Sequence, residues 1–275
     1  VSRNGNASSR LVTDAPLAHV RHGERGPLVV LLHGIGGGRA GWGGTGPALA
    51  AAGFVALAVD LPGYGLSAPL DPFTLAGAAA RVRELIVWSG EANAPIVGHS
   101  LGGMIAQELV AAAPRCVNAL VLAATSPAFG PPGGGWQQQF LASRFAPLDA
   151  GLGMAGLAAE LVPSMVGSAA SAEGIAAAQA LMAGVPEATY RAALRALAAF
   201  DRRDALPHIA VPTLVITGEH DRTAPPEVAR KMAARIAGAK LVLLPGTGHL
   251  AMLENGAAFD AALVDFLETA HERSA

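Results

Sequence analysis

Cysteine is all but missing from this 275-residue chain: Cys116 stands alone, so no intramolecular disulfide frame holds the fold. Beside Pro114 and Arg115, it is expected to be a packed thiol rather than a nucleophile. Charge is also scarce. Charged residues make up 15% of the chain and the formal net charge is −2, which excludes the basic footprint of a nucleic-acid binder. The 52% hydrophobic content excludes a disordered chain. Long apolar runs are missing too. The richest stretch, Met104 to Ala124, is interrupted by Glu108, Pro114, Arg115 and Asn118, so no membrane span is expected. The polar start "VSRNGNASSR" has no apolar signal-peptide core, which points to a cytoplasmic protein. It also lacks an initiator Met, leaving open the removal of an N-terminal segment. Its sequon, Asn6-Ala7-Ser8, reads as part of a frayed tail. No repeat of fixed period, no Gly-x-x-x-x-Gly-Lys phosphate loop and no metal-spaced cluster of His, Cys and carboxylates occurs, so no cofactor and no metal are expected.

What is present is a set of short apolar runs: Leu28–Leu32, Phe54–Val59, Pro95–Gly98, Ala119–Ala124, Thr213–Thr217 and Lys240–Leu244. Most are continuous rather than alternating, as in parallel strands covered on both faces. Segments around Leu11–Thr13 and Leu17–His22 add antiparallel edge strands. Helical patterns at 46–52, 75–89, 101–113, 226–236 and 257–270 fall between the runs. The fold class is therefore α/β, a mostly parallel, doubly wound sheet flanked by helices. From Pro127 to His208 the alternation stops. A Pro/Gly-rich opening, "SPAFGPPGGGW", leads into about four Ala-rich helices. The expected division is an α/β core over 1–126 and 209–275, with a helical cap insertion over 127–208. Ligands of open α/β sheets bind beyond the carboxyl ends of the strands, where such a cap would lie.

One serine sits where packing does not require it. Ser100, in "GHSLGG", joins a buried strand to a helix with glycines at 98 and 102. Gly-x-Ser-x-Gly in that context is a nucleophile elbow, with the serine held at a helix N-terminus. A hydroxyl needs a base, and the base an orienting group. His249, in "PGTGHLAMLEN", and Asp221, in "VITGEHDRTAPP", each follow an apolar run by a short loop, in the chain order Ser, Asp, His. The competitors are Glu219 for the acid, and His99 and His220, read as packing beside the elbow and as a loop side chain. Glu254 is expected to start or cap the final helix. Two backbone N–H groups are expected to hold the oxyanion, Leu101 after the serine and Ile35 in "HGIGGG", whose glycines leave room for a substrate carbonyl. The spacing of Gly34 to Gly38 does not fit a dinucleotide fingerprint.

The segments "LLHGIGGGRAGW", "VDLPGYGLSAP", "VGHSLGGMIAQELV", "PTLVITGEHDRTAPP" and "LPGTGHLAMLENG" together resemble the α/β-hydrolase superfamily, over roughly residues 17 to 270. Within it the chain is similar to small bacterial carboxylesterases and 3-oxoadipate enol-lactonases. The resemblance implies a helical cap and a Ser100–His249–Asp221 triad with Ile35 and Leu101 as oxyanion donors. It implies hydrolysis of a small-molecule carboxylic ester or lactone through an acyl-enzyme. Ser100 argues against the epoxide hydrolases and haloalkane dehalogenases, whose nucleophile is Asp. His99 and Leu250 depart from the Asn and Trp usual in C–C bond hydrolases of meta-cleavage products. Ile35 departs from the Pro usual in cofactor-free perhydrolases. Those two activities, and a small-molecule receptor with slow turnover, remain as alternatives, and a homodimer is left open. The expected substrate pocket is lined by His33, Gly34, Trp42, His99, Trp136, Phe140 and Leu250. Further cap candidates are Met154, Leu157, Leu161 and Met165. Arg144, Arg191 and Arg195 are the cations available to a substrate carboxylate, although surface solvation is the plainer reading of each.

Overall fold

In the computed structural model, which describes residues 8–130 and 135–273, eight strands form one sheet. They are β1 (Ser9–Val12), β2 (His19–His22), β3 (Leu28–Leu32), β4 (Val55–Val59), β5 (Ala94–His99), β6 (Val117–Ala123), β7 (Thr213–Gly218) and β8 (Lys240–Leu244). Their order is β1-β2-β4-β3-β5-β6-β7-β8. β1 pairs antiparallel with β2, and β2 antiparallel with β4. Every other pairing is parallel. The sequon and the Pro/Gly residues 131–134 lie wholly or partly outside the described residues.

Continuous apolar runs make sense in this sheet because side chains alternate between faces. Val30, Leu32, Leu57, Ile96 and Leu120 enter one core, while Val29, Leu31, Ala58, Val97 and Val121 enter the other. The first core is completed by α2 (Leu75–Trp88), α3 (Leu101–Ala112) and α8 (Pro226–Arg235). The second is completed by α1 (Thr45–Ala51) and the last helix, α10 (Gly256–Glu272). A polar residue in any of these runs would lose its hydration on one face or the other.

Between β6 and β7 the chain forms α4 (Trp136–Asp149), α5 (Gly153–Met165), α6 (Ala172–Ala183) and α7 (Glu187–Ala198). The segments entering and leaving this excursion meet at an isolated bridge between Ala128 and Asp201. Arg202 N–H donates to Pro127 C=O, and the Arg202 guanidinium makes a two-pronged ion pair with Glu108 on α3 at 3.0 and 2.7 Å. A short helix, α9 (Ala251–Glu254), precedes α10. No helix among the described residues is long and apolar enough to cross a membrane. Cys116 is half-buried and packs against the first core.

Candidate active site

Ser100 stands directly after β5, at the N-cap of α3, with φ 51° and ψ −113°. This is a left-handed conformation that an L-residue holds at a cost of about 1–3 kcal/mol. The turn is possible because of its glycines. A Cβ at Gly98 would strike the Gly102 carbonyl, and one at Gly102 would strike the Leu32 carbonyl at the end of β3. Strand and helix therefore approach until only backbone fits between them. The Ser100 main chain is pinned by Ala123 C=O, which accepts its N–H at 2.9 Å, and by the Thr125 hydroxyl, which donates to its C=O at 2.7 Å. The Ser100 hydroxyl itself has no protein partner among the described residues.

Asp221 follows β7 and His249 follows β8, so both emerge at the same end of the sheet as Ser100. His249 Nδ1 and Asp221 Oδ2 are 2.9 Å apart, and each side chain is almost wholly buried. Asp221 Oδ2 also accepts from the Thr217 hydroxyl at 3.2 Å, and Oδ1 accepts from the N–H groups of Thr223 and Ala224 at 2.8 and 2.9 Å. Burial pushes the Asp221 carboxyl up, but the imidazole of His249 and the two N–H donors outweigh it and hold the group below its ordinary value. An ionised carboxylate only accepts, so Nδ1 carries the imidazole proton and Nε2 keeps its lone pair. Glu219 and His220 are exposed. Among the described residues, the Glu219 carboxylate accepts only from the Gly246 N–H, at 3.4 Å.

The backbone around His249 is fully engaged. Its N–H donates to Met165 C=O at 2.8 Å, and its C=O accepts from His99 Nε2 at 2.8 Å. The two flanking N–H groups, Gly248 and Leu250, donate to the Glu254 carboxylate at 2.7 and 2.8 Å. Glu254 accepts a third N–H, from Gly167 beyond the end of α5, at 2.7 Å. The expectation that Glu254 starts or caps the last helix is corrected here. It ends α9, it is buried, and its acceptor capacity goes to the His249 loop and to the helical excursion. No local pattern signals this, because one of its three donors is 87 residues away. In Glu254→Gln one carboxylate oxygen becomes an NH₂ facing N–H donors, leaving a buried donor unpaired at a cost of about 1–3 kcal/mol. The variant is expected to melt at lower temperature. Because a misplacement of ~1 Å can cost about 10²-fold, its kcat should fall by about 10- to 100-fold. A folded Glu254→Gln protein with wild-type kcat would show that the loop does not depend on this carboxylate.

His33 and His99 brace the other side. Leu61 N–H donates to His33 Nε2 at 3.0 Å, so His33 Nδ1 carries the proton and donates to Gly34 C=O at 2.8 Å. Burial lowers the His33 pKa to about 4, and burial followed by the nearness of His249 lowers that of His99 to about 3. Both rings are therefore neutral hydrogen-bonding struts near neutral pH. The Tyr64 hydroxyl donates to Ile35 C=O at 3.1 Å, and Gly37 N–H closes a turn on Gly34 C=O at 2.9 Å. The N–H groups of Ile35 and Leu101 have no protein acceptor among the described residues. A Cβ added to Gly34 would come within 3.2 Å of Ser100 Cβ, so the loop after β3 lies directly beside the serine.

Ser100, His249, His33, Gly34, Ile35, His99, Trp42 and Leu250 all border one cleft of about 570 Å³. Trp136 and Phe140 do not, which corrects the expected pocket. They stack on each other at 5.6 Å and meet Phe129 in a tilted and an edge-on contact at 5.0 and 4.7 Å, forming a separate aromatic cluster where α4 begins. Of the other candidates on the excursion, Met165 borders the cleft, while Met154 and Leu157 are buried in the first core and Leu161 packs against it. The wall that the sequence reading missed comes from α5 and α6, through Val162, Ala178, Leu181 and Met182. The glycine run after His33 also has a second use: a Cβ on Gly36 would come within 3.3 Å of Met182, so α6 sits down on the loop itself.

Residues 29–262 match the alpha/beta hydrolase family. Among curated proteins, the chain is 32% identical over 262 residues to the pimeloyl-[acyl-carrier protein] methyl ester esterase of Neisseria meningitidis, covering 87% of this chain and 92% of that protein. It is 31% identical over 258 residues to the polyketide synthase ThaQ of Burkholderia thailandensis; the match takes in 91% of this chain but spans only 12% of the synthase. Among solved structures, the enol-lactonase of Burkholderia xenovorans superposes with a TM-score of 0.81 at 27% identity, covering 94% of this chain and all of that one.

Proposed function

The chain belongs to the alpha/beta hydrolase family, and we propose that it is a serine hydrolase that cleaves a carboxylic ester or lactone through an acyl-enzyme. The observation that carries this reading is the buried 2.9 Å contact between Asp221 and His249 Nδ1. It leaves a basic Nε2 on the cleft that Ser100 also borders. Residues 127–208 act as a cap over a hydrolase core of 1–126 and 209–275, a division supported by the α5 and α6 side chains that wall the cleft.

The chemistry follows from the residues. His249 Nε2 takes the Ser100 proton as the serine oxygen bonds to the substrate carbonyl carbon. The carbonyl oxygen gains negative charge and accepts from the N–H groups of Ile35 and Leu101, the second standing at the first turn of α3, where the helix dipole favours an anion. The imidazolium, stabilised by Asp221, returns the proton to the leaving alkoxide as the C–O bond breaks. Water then repeats the sequence: it bonds to the acyl carbon, gives its proton to Nε2, and Ser100 leaves with that proton restored. A lactone substrate opens to a hydroxy acid by the same steps.

The test is turnover of p-nitrophenyl acetate, butyrate and octanoate, with mass spectrometry of the quenched enzyme. Many turnovers and a peptide containing Ser100 that carries the acyl mass are expected. A single equivalent of p-nitrophenol with no further release would instead fit a receptor, and no release from any of the three would overturn the ester reading.

A further inference from the structure

The cleft's lining also bears on what kind of acyl group it accepts, an inference that rests on the ester-hydrolase reading. We propose that the enzyme takes acyl chains that are apolar and uncharged along their length, and that it excludes acyl groups ending in a carboxylate.

Three observations carry this. First, the wall facing the loop after β3 is one face of α6. Ala178, Leu181 and Met182 lie at positions i, i+3 and i+4, and Val162 and Met165 of α5 continue the surface. Second, no Lys, Arg, Asp or Glu among the described residues borders the cleft. The cations that the sequence offered for a substrate carboxylate are committed elsewhere. Arg191 pairs with Asp149 and Glu187 at 2.7 and 2.8 Å, and Arg144 and Arg195 lie 5.0 Å over the rings of Phe140 and Phe145. Third, the imidazoles that border the cleft offer no positive charge, and several of the N–H groups there are already in use. His33 and His99 are neutral and each spends its N–H on a carbonyl. The Gly37 and Gly41 N–H groups close turns on Gly34 and Gly38. His249 Nε2 is reserved for proton transfer, and the Ile35 and Leu101 N–H groups for the reacting oxygen.

A carboxylate drawn into this cleft would give up its water and find no counter-charge among the described residues; the unpartnered donor there, Trp42 Nε1, is neutral. Burying an unpaired charge is among the costliest events in a protein interior. A methyl group at the same position gains from burial instead. The two terms have opposite signs, so selection between otherwise matched chains should be strong. Ser100 borders the same cleft as these α5 and α6 side chains, so the chain end of an acyl group carried by that serine would meet this environment.

The experiment compares kcat/KM for p-nitrophenyl hexanoate and mono-p-nitrophenyl adipate, which differ at the chain end by a methyl against a carboxylate. The wild-type protein is expected to favour the hexanoate by about 100-fold or more. Leu181→Arg, which brings a guanidinium to the wall on a flexible stem, should shrink that ratio by about tenfold or more, while Leu181→Met leaves it standing. A wild-type ratio below tenfold with brisk hexanoate turnover overturns the inference and leaves the ester reading intact. A folded Leu181→Arg protein with an unmoved ratio also overturns it, because the selection would then not come from missing charge in the cleft. Failure to turn over hexanoate at all would remove the ester reading and this inference together.

Discussion

In Ser100→Ala, turnover of p-nitrophenyl butyrate is expected to fall by about 10⁶-fold, to the residue left by binding and the oxyanion donors. The loss should be nearly all in kcat, because alanine leaves the cleft wall and both N–H donors in place. Stability should hardly move. Alanine must occupy the same φ of 51° and therefore inherits the strain of serine. Ser100→Gly separates the two roles of the position. It loses the same chemistry, but glycine adopts positive φ freely. The release of ~1–3 kcal/mol of strain, less the ~0.5–1 kcal/mol entropy penalty of glycine, should raise stability by about 1 kcal/mol. Thermal melts and steady-state rates on the three proteins check both halves. A Ser100→Ala protein with a tenth of wild-type turnover would mean that the nucleophile lies elsewhere. A Ser100→Gly protein no more stable than wild type would mean that the turn stores no strain.

How far the sequence could be read depended on whether a signal was local. β3 and β8 fall at the expected Leu28–Leu32 and Lys240–Leu244, and the two antiparallel edge strands lie close to their expected places. Strands that feed two cores with successive residues must be apolar throughout, and that is visible in one window of sequence. The placement of Ser100, Asp221 and His249 just after strands is legible in the same way, and because parallel strands all end on one side of the sheet the three come to one end of it. The cleft wall was not legible. Trp136 and Phe140 are conspicuous residues on α4, yet the wall comes from Ala178, Leu181 and Met182 on α6. That helix, "AEGIAAAQALMA", is apolar or small nearly all the way round, so no stripe reveals which face turns inward. The role of Glu254 is hidden for a related reason. Gly248 and Leu250 are its near neighbours in the chain, but its third donor, Gly167, meets it only because the end of α5 packs against the His249 loop. A contact between segments so far apart leaves no mark in either one.

Asp221→Asn should cost about 10⁴-fold in kcat while leaving the fold almost untouched. The asparagine can keep its carbonyl on the N–H groups of Thr223 and Ala224, which bond Oδ1 in the wild type at 2.8 and 2.9 Å. Its NH₂ then takes the place of Oδ2, opposite His249 Nδ1 and the Thr217 hydroxyl. The threonine accommodates this by rotating to accept. The imidazole cannot do so without changing tautomer. An NH₂ can only donate, so Nδ1 must give up its proton, and the proton moves to Nε2. The atom that should receive the Ser100 proton is then already occupied, and the charge that would stabilise the imidazolium is gone. Substrate binding does not use Asp221, which lies behind His249, so KM should stay within about threefold. The contrast is Glu219→Gln. Glu219 is exposed, and among the described residues its carboxylate accepts a hydrogen bond only from the Gly246 N–H, so this variant should keep turnover within about twofold, as surface changes usually do. If Glu219→Gln were the inactive variant and Asp221→Asn the active one, the acid would have been assigned to the wrong side of the β7 loop. If both were active, His249 would not require an orienting carboxylate, and the mechanism built on its Nδ1–H tautomer would fail.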